Sequence, residues 1–233
     1  ELIKLLREDA KDEFDVFIFF LLLMSLIIIS PFTTNNEISL RRFAKGAFGL
    51  HFLYAVLMLA FFDKANPYIT NIHFLGVDWI QSLGVNFSLK LDSIGIVLST
   101  LTSFIFLISS IASKMNIRKN HKFYYSMLFL LMSAILGIFN ANDMFVFFMF
   151  WELELIPAYF LIGGNFSNET NPEAKKSAIK FVLFTFLASM IMLLGILLLH
   201  YYNYISTGTL SATFSDIFAD YIPDVLSVLA YSD

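Results

Sequence analysis

Apolar runs of about twenty residues, the length that carries an α-helix across the hydrocarbon core of a bilayer, recur six times between polar or charged stretches. They cover 14–32, ending at Ser30-Pro31, and 43–62, closed by Asp63-Lys64; the others are 92–113, 123–140, 143–163 and 177–202. Only Asn140-Ala141-Asn142 separates the fourth from the fifth, which predicts a tight antiparallel helix pair. The less apolar stretch 63–91 alternates after Gly84 and predicts a short hairpin or extended piece lying on the membrane surface. After 202 the acids Asp216, Asp220, Asp224 and Asp233 interrupt the apolar residues, so 203–233 reads as an interfacial or loop tail. The pattern predicts an all-α, polytopic integral membrane protein of about six transmembrane helices. It divides into 1–122 (three helices and the surface loop at 63–91), 123–202 (three more helices) and the tail.

Composition agrees. The chain is 58% hydrophobic with 28 Phe in 233 residues, beyond the usual range of soluble globular chains. Net charge says less than the placement of basic residues. With six spans, Arg41, Arg42, Lys45, Lys114, Arg118, Lys119, Lys122, Lys175, Lys176 and Lys180 fall on one side, ten of the fifteen Lys and Arg. The positive-inside rule puts those loops in the cytoplasm, matrix or stroma and both ends of the chain on the opposite face. There is no Cys, which excludes disulfides and thiolate metal or iron–sulfur ligation by this chain, and the four His lack metal-ligand spacing. The chain begins at Glu1 with mixed charge rather than the short basic region of a signal peptide; the expectation is that processing or trimming removed an earlier start.

The fifth run carries two carboxylates, Glu152 and Glu154. An acid in a span costs at least a few kcal/mol, so it marks ion or proton handling or bonds a neighbouring helix's hydroxyl or Lys. Glu152 lies about 13 Å down the axis from Asp143, near the bilayer centre, and Glu154 about 200° further round the helix. Pro157 removes the hydrogen bond to the Leu153 carbonyl between them. In the sixth run Lys180 lies about a turn inside the interface. It either snorkels to the headgroups or bends inward to modulate a glutamate, with Thr185 and Ser189 as stepping stones for water. His51 and His200 read either as proton carriers or haem ligands or, the ordinary case, as hydrogen-bonded interior residues. Asp92 is expected to cap the third helix.

Asn142-Asp143-Met-Phe, Phe147-Phe148, Trp151-Glu152-Leu-Glu154-Leu-Ile-Pro157-Ala-Tyr159 and Ala178-Ile-Lys180-Phe-Val-Leu-Phe-Thr185 together resemble the fifth and sixth helices of the antiporter-like chain 4 subunits of NADH:quinone oxidoreductases (respiratory complex I, NDH-1). The segments Gly76-Val77-Asp78-Trp79 and Leu91-Asp92-Ser-Ile-Gly95 are similar to that family's approach to its third helix. The resemblance covers roughly 70–202, and the 151–159 form is particularly like the plastid and cyanobacterial branch.

The resemblance implies that 123–202 is the start of a proton-channel bundle and that the chain is the N-terminal half of such a subunit, coupling quinone reduction to proton pumping. Glu152 maps onto the family's fifth-helix acid, which pairs with a seventh-helix Lys. Lys180 is then a modulating base and Glu154 a secondary acid. This chain would bind no cofactor and no metal; NADH, FMN, iron–sulfur clusters and quinone would belong to partner subunits. Expected partners are other membrane-arm subunits, a polypeptide or further segment supplying the seventh and later helices, and lipid, but no nucleic acid. The chain is expected to be a piece of a longer subunit or one product of a split gene. The membrane is expected to be the mitochondrial inner membrane, with thylakoid or bacterial plasma membrane as alternatives. Competing readings are a subunit of a multisubunit Na⁺/H⁺ antiporter and a structural half-subunit without a proton path of its own.

Overall fold

The computed structural model describes residues 37–61, 78–89, 93–117, 119–164, 166 and 172–214. The first expected span, Asp92 and most of the acidic tail lie outside them. Among the described residues five helices are long and apolar enough to cross a membrane: α1 (Glu37–Phe61), α2 (Ser93–Asn116), α3 (His121–Asn140), α4 (Met144–Gly163) and α5 (Pro172–Thr207). A two-stranded antiparallel hairpin, β1 (Asp78–Ile80) and β2 (Val85–Asn86), precedes α2.

α5 outruns the apolar stretch that predicts it at both ends. α5 opens with Pro172 at its first position, where the missing N–H is no loss. Glu173 in the first turn suits the positive end of the dipole and pairs with Lys176 at 3.0 Å. The helix ends at Gly208, whose φ of 72° takes the left-handed conformation common after a helix C-terminus. Its 36 residues span about 54 Å, so its ends project beyond a hydrocarbon core of about 30 Å or the helix tilts.

One buried cluster joins α1, α2 and α3 through Leu40, Ala44, Phe48, Phe106, Tyr125, Phe129, Met132 and Leu136, running across the 122/123 division. Phe48 stacks on Phe129 with ring centroids 4.3 Å apart. α2 turns a buried face of small hydroxyl residues, Ser99, Ser103, Ser110 and Ser113, toward this core. Each of the last three donates to a carbonyl of the preceding turn, so little unsatisfied polarity remains. α4 lies between α3 and α5. Phe123 of α3 meets Phe160 of α4 edge to face, and Gly137 of α3 has no room for a Cβ because the Phe150 ring occupies that place. These contacts fix α3 and α4 as the antiparallel pair expected from the three-residue link.

Sidedness is visible in the bonds between loops. At one end the Arg41 guanidinium donates to the Ile117 carbonyl at 2.9 Å, and the Lys119 amide donates to the Phe166 carbonyl at 3.0 Å. The three basic loops therefore meet at one end of the bundle. At the other end the hairpin, the 141–143 link and residues 210–214 converge, with the Asn142 amide on the Ser88 carbonyl and the Phe214 amide on the Asn142 carbonyl, both at 3.0 Å.

Candidate functional site

α4 is apolar on nearly every side, as a helix buried in protein or lipid must be. It stays continuous through Pro157, which is itself buried. Its N-cap is Asp143, fully buried. One carboxylate oxygen accepts the Phe145 and Val146 amides at 2.8 and 3.2 Å, and the other accepts the Asn86 amide of the hairpin at 3.1 Å. The adjoining Met144 amide donates to the Ala212 carbonyl at 3.0 Å. The start of α4 is thus held by chain from both before α2 and after α5. The expected surface hairpin forms, with its turn at Gly84 (φ 62°), where a Cβ would collide with the Leu210 carbonyl. It packs on the helix ends rather than lying only on the membrane surface.

Glu152 is half-buried, and its Oε1 is buried with no hydrogen-bond partner among the described residues. It shares a face of α4 with Phe145 and Phe148, seven and four residues earlier. Phe145 stands edge-on to the His200 ring of α5, and Phe148 packs with Met192 and Ile196. At the other end of the pair Gly163 approaches Ala178. The antiparallel register between these contacts sets Ser189 level with Glu152. Ser189 is 2% exposed, and its hydroxyl donates to the Phe186 carbonyl at 2.9 Å. By helical register Glu152 and the buried Ser189 hydroxyl thus lie within about one turn of the same depth.

The structure does not bring Lys180 to Glu152. On α5, Ala178, Ile196 and His200 meet α4, Ser189 follows on the same stripe at helical spacing, and Lys180 is nine residues, two and a half turns, from Ser189. It therefore sits about 13 Å along the axis from Ser189 and on the opposite side of the helix, where it is exposed. Thr185 and Ser189 are spaced away from it rather than towards it. Glu154 is half-buried on the side of α4 that carries Phe147 and Trp151, apart from Glu152, as the 200° separation requires.

Both span histidines have interior partners. His51 Nδ1 lies 2.8 Å from the Ser103 hydroxyl, and His200 Nδ1 lies 3.1 Å from the Ser211 carbonyl. At the basic end, His121 Nε2 lies 3.2 Å from the Glu37 carboxylate and 2.8 Å from Arg41 Nη2. Sequence reasoning passed over Asp143 as a structural centre. A single Asp immediately before an apolar run is the N-cap signal, but its second oxygen serves an amide 57 residues away, which no local pattern announces.

Residues 141–223 match the family model described as NADH:quinone oxidoreductase/Mrp antiporter, transmembrane. Subunit M of the NADH-quinone oxidoreductase of Buchnera aphidicola (subsp. Schizaphis graminum) is 34% identical over 205 residues, 82% of this chain and 41% of that protein. The corresponding subunit of Escherichia coli K12 is 30% identical over 141 residues, covering 60% and 28%. Chain 4 of the NAD(P)H-quinone oxidoreductase of Synechococcus elongatus is 34% identical over 148 residues, covering 61% and 26%. The chain spans less than half the length of each of these relatives. Among solved structures, respiratory complex I from Thermus thermophilus with bound NADH aligns over 84% of this chain and 39% of that one, with a TM-score of 0.61 and 20% identity. The Mrp complex from Dietzia sp. DQ12-45-1b aligns over 84% and 20%, with a TM-score of 0.60 and 21% identity. These two likenesses establish the all-α, polytopic fold, and the five apolar helices with the transmembrane family match make it integral to a membrane.

Proposed function

We propose that this chain, whose residues 141–223 match the family model described as NADH:quinone oxidoreductase/Mrp antiporter, transmembrane, is part of a proton-translocating membrane subunit of a complex I type enzyme, with Glu152 as its protonatable centre. The observation that carries the proposal is the Glu152 carboxylate itself, placed mid-helix with one buried oxygen that no described residue satisfies. An acid left so in a span needs water or a cation brought to it, and takes up or gives up a proton according to which is present. The Ser189 hydroxyl, at a similar depth by helical register, is a polar group beside which water can be ordered. Glu154, on another side of α4, is a secondary acid addressed to a different neighbour.

Lys180 does not reach Glu152 within this chain, so the charge that modulates Glu152 comes from another segment or polypeptide. Lys180 itself serves the interface or an adjoining chain. The redox groups (NADH, FMN, iron–sulfur clusters and quinone) belong in this reading to other subunits, and the chain's partners are membrane-arm subunits and lipid. The relatives are bacterial and cyanobacterial, so they support an energy-coupling membrane without favouring the mitochondrial one.

The fold does not separate complex I from an Mrp-type antiporter, since both align equally well. The relatives named as quinone oxidoreductase subunits, at 30–37% identity, favour the former. Replacing Glu152 by Gln in the assembled enzyme keeps shape and removes the titratable group. Proton translocation should then fall by about 10² or more, the contribution of a positioned acid–base group, with unchanged amounts of assembled subunit, while Lys180→Gln changes it far less. Full translocation by the Glu152→Gln enzyme would overturn the reading. Copurification of the unaltered chain with peripheral redox subunits separates this reading from the antiporter one.

A further inference from the structure

His200 lies at the end of the α4–α5 seam, on the face opposite the basic loops, and is 7% exposed. Its Nδ1 is 3.1 Å from the Ser211 carbonyl, which only accepts, so the ring proton of the neutral imidazole sits on Nδ1. That leaves Nε2 as the basic nitrogen, and it is buried with no hydrogen-bond partner among the described residues. Asp143 and His200 converge on one short segment: Ser211 receives the His200 bond, and Thr213 forms a bridge with Asp143. Phe145, whose amide is bonded to Asp143, stands edge-on to the imidazole at 5.6 Å. A buried base with a free lone pair thus stands beside a buried carboxylate and an aromatic ring, where an added proton has both a seat and a counter-charge.

We propose that His200 Nε2 is a proton-binding station at this end of the seam, exchanging protons between the face opposite the basic loops and the Glu152 centre. The inference rests on the proton-translocating reading of Glu152. In the loading step the Nε2 lone pair takes one proton from water at that face, giving an imidazolium balanced by Asp143. Release of the same proton restores the neutral Nδ1–H form. His200 is eleven positions along α5 from Ser189, about 16 Å, and the interval is filled by Met144, Phe148, Met192 and Ile196. This is an apolar gate with two pliant thioethers. It holds the two stations apart when dry and joins them only when it admits water. Asp143 is the charged group that α4 presents to the station. Residues 208–214 contribute no titratable side chain, β1 adds Asp78 opposite Asn86 in the ladder, and Tyr201, Tyr202 and Tyr204 beside it on α5 are exposed.

The test is His200→Asn in the assembled enzyme. The Asn amide keeps a donor where Nδ1 stands and removes Nε2, so a purely structural His200 survives the exchange. Translocation per electron pair should fall by about 10², and its pH dependence between about pH 5 and 8, where imidazole changes charge, should flatten. Unaltered translocation with an unaltered pH profile overturns the proposal. If Glu152→Gln also translocates fully, the functional reading fails with it; if Glu152→Gln is inactive and His200→Asn is not, only the His200 station fails. Should His200→Asn not assemble, Asp143→Asn gives the second measurement. With its counter-charge removed the loaded station is altered, so the pH profile of translocation should differ from that of the unaltered chain, and an identical profile overturns the proposal.

Discussion

The Asp143 carboxylate receives the Asn86 amide at 3.1 Å across 57 residues of sequence while its other oxygen caps α4. One side chain therefore pins the hairpin before α2 to the first turn of the helix that carries Glu152. The backbone bonds around it, Asn142 to Ser88, Met144 to Ala212 and Phe214 to Asn142, complete the tie. The position of Glu152 along the membrane normal is set from this end, because nine residues of rigid helix separate the two acids.

Truncating Asp143 to Ala should therefore be among the more damaging single changes to the described bundle. Loss of the cap costs about 0.5–2 kcal/mol, and the half-buried Asn86 N–H left without an acceptor costs up to about 1–3 kcal/mol more. Asp143→Asn keeps an oxygen for the cap and forfeits only the Asn86 acceptor, so it should fall between the two. Thermal unfolding midpoints of the purified protein, ordered unaltered, Asn, Ala, check this. Equal midpoints for Ala and the unaltered protein would remove Asp143 from the account of how α4 is held.

The same carboxyl should leave a mark on the pH dependence of stability. Burial pushes it above the usual carboxylate range, against the opposing pull of three backbone N–H bonds and of nearby His200. The folded form then binds the Asp143 proton more tightly than the unfolded chain does. Its contribution is fully present below the ordinary carboxylate range and is lost as pH rises through the raised folded value. Unfolding midpoints measured upward from about pH 4 should fall more steeply for the unaltered protein than for Asp143→Asn. Parallel curves would mean that the group is charged without penalty in the folded state.

What the sequence disclosed and what it concealed divide along the line between local and distant physics. The α3–α4 pairing followed from Asn140-Ala141-Asn142 alone, because so short a link leaves no other arrangement, and the gathering of the basic loops followed from counting charges. Helix ends did not follow. Apolar runs mark the membrane, whereas α5 continues past its run in both directions, from Pro172 to Thr207, through residues that water and ion pairing satisfy. The outward aim of Lys180 was within reach: its nine-residue separation from Ser189 already places the two on opposite sides of a helix. The reach of Asp143 to Asn86, and of His200 to Ser211, depends on how separate segments dock, which no spacing along the chain encodes.

The packing of α3 on α4 offers an independent hold on Glu152. Gly137 lies against the ring of Phe150, so that a Cβ there would overlap the ring, and Phe150 is itself backed by Phe87 at 6.2 Å. The ring has nowhere to retreat, and Gly137→Ala should cost about 1–3 kcal/mol as overpacking. Part of that strain should be relieved by sliding or rotating α4, which displaces Glu152 two residues further along. Proton translocation should therefore drop with stability, although residue 137 carries no polar group. Phe150→Leu reduces the bulk on the other side of the contact. In a double-mutant cycle the pair should be more stable than the sum of the single effects predicts, with a coupling of about 0.5–3 kcal/mol, and translocation should recover in the double variant. Strict additivity of Gly137→Ala and Phe150→Leu would show that the two helices do not meet at this contact, and α3 would then give no hold on the position of α4 and its Glu152.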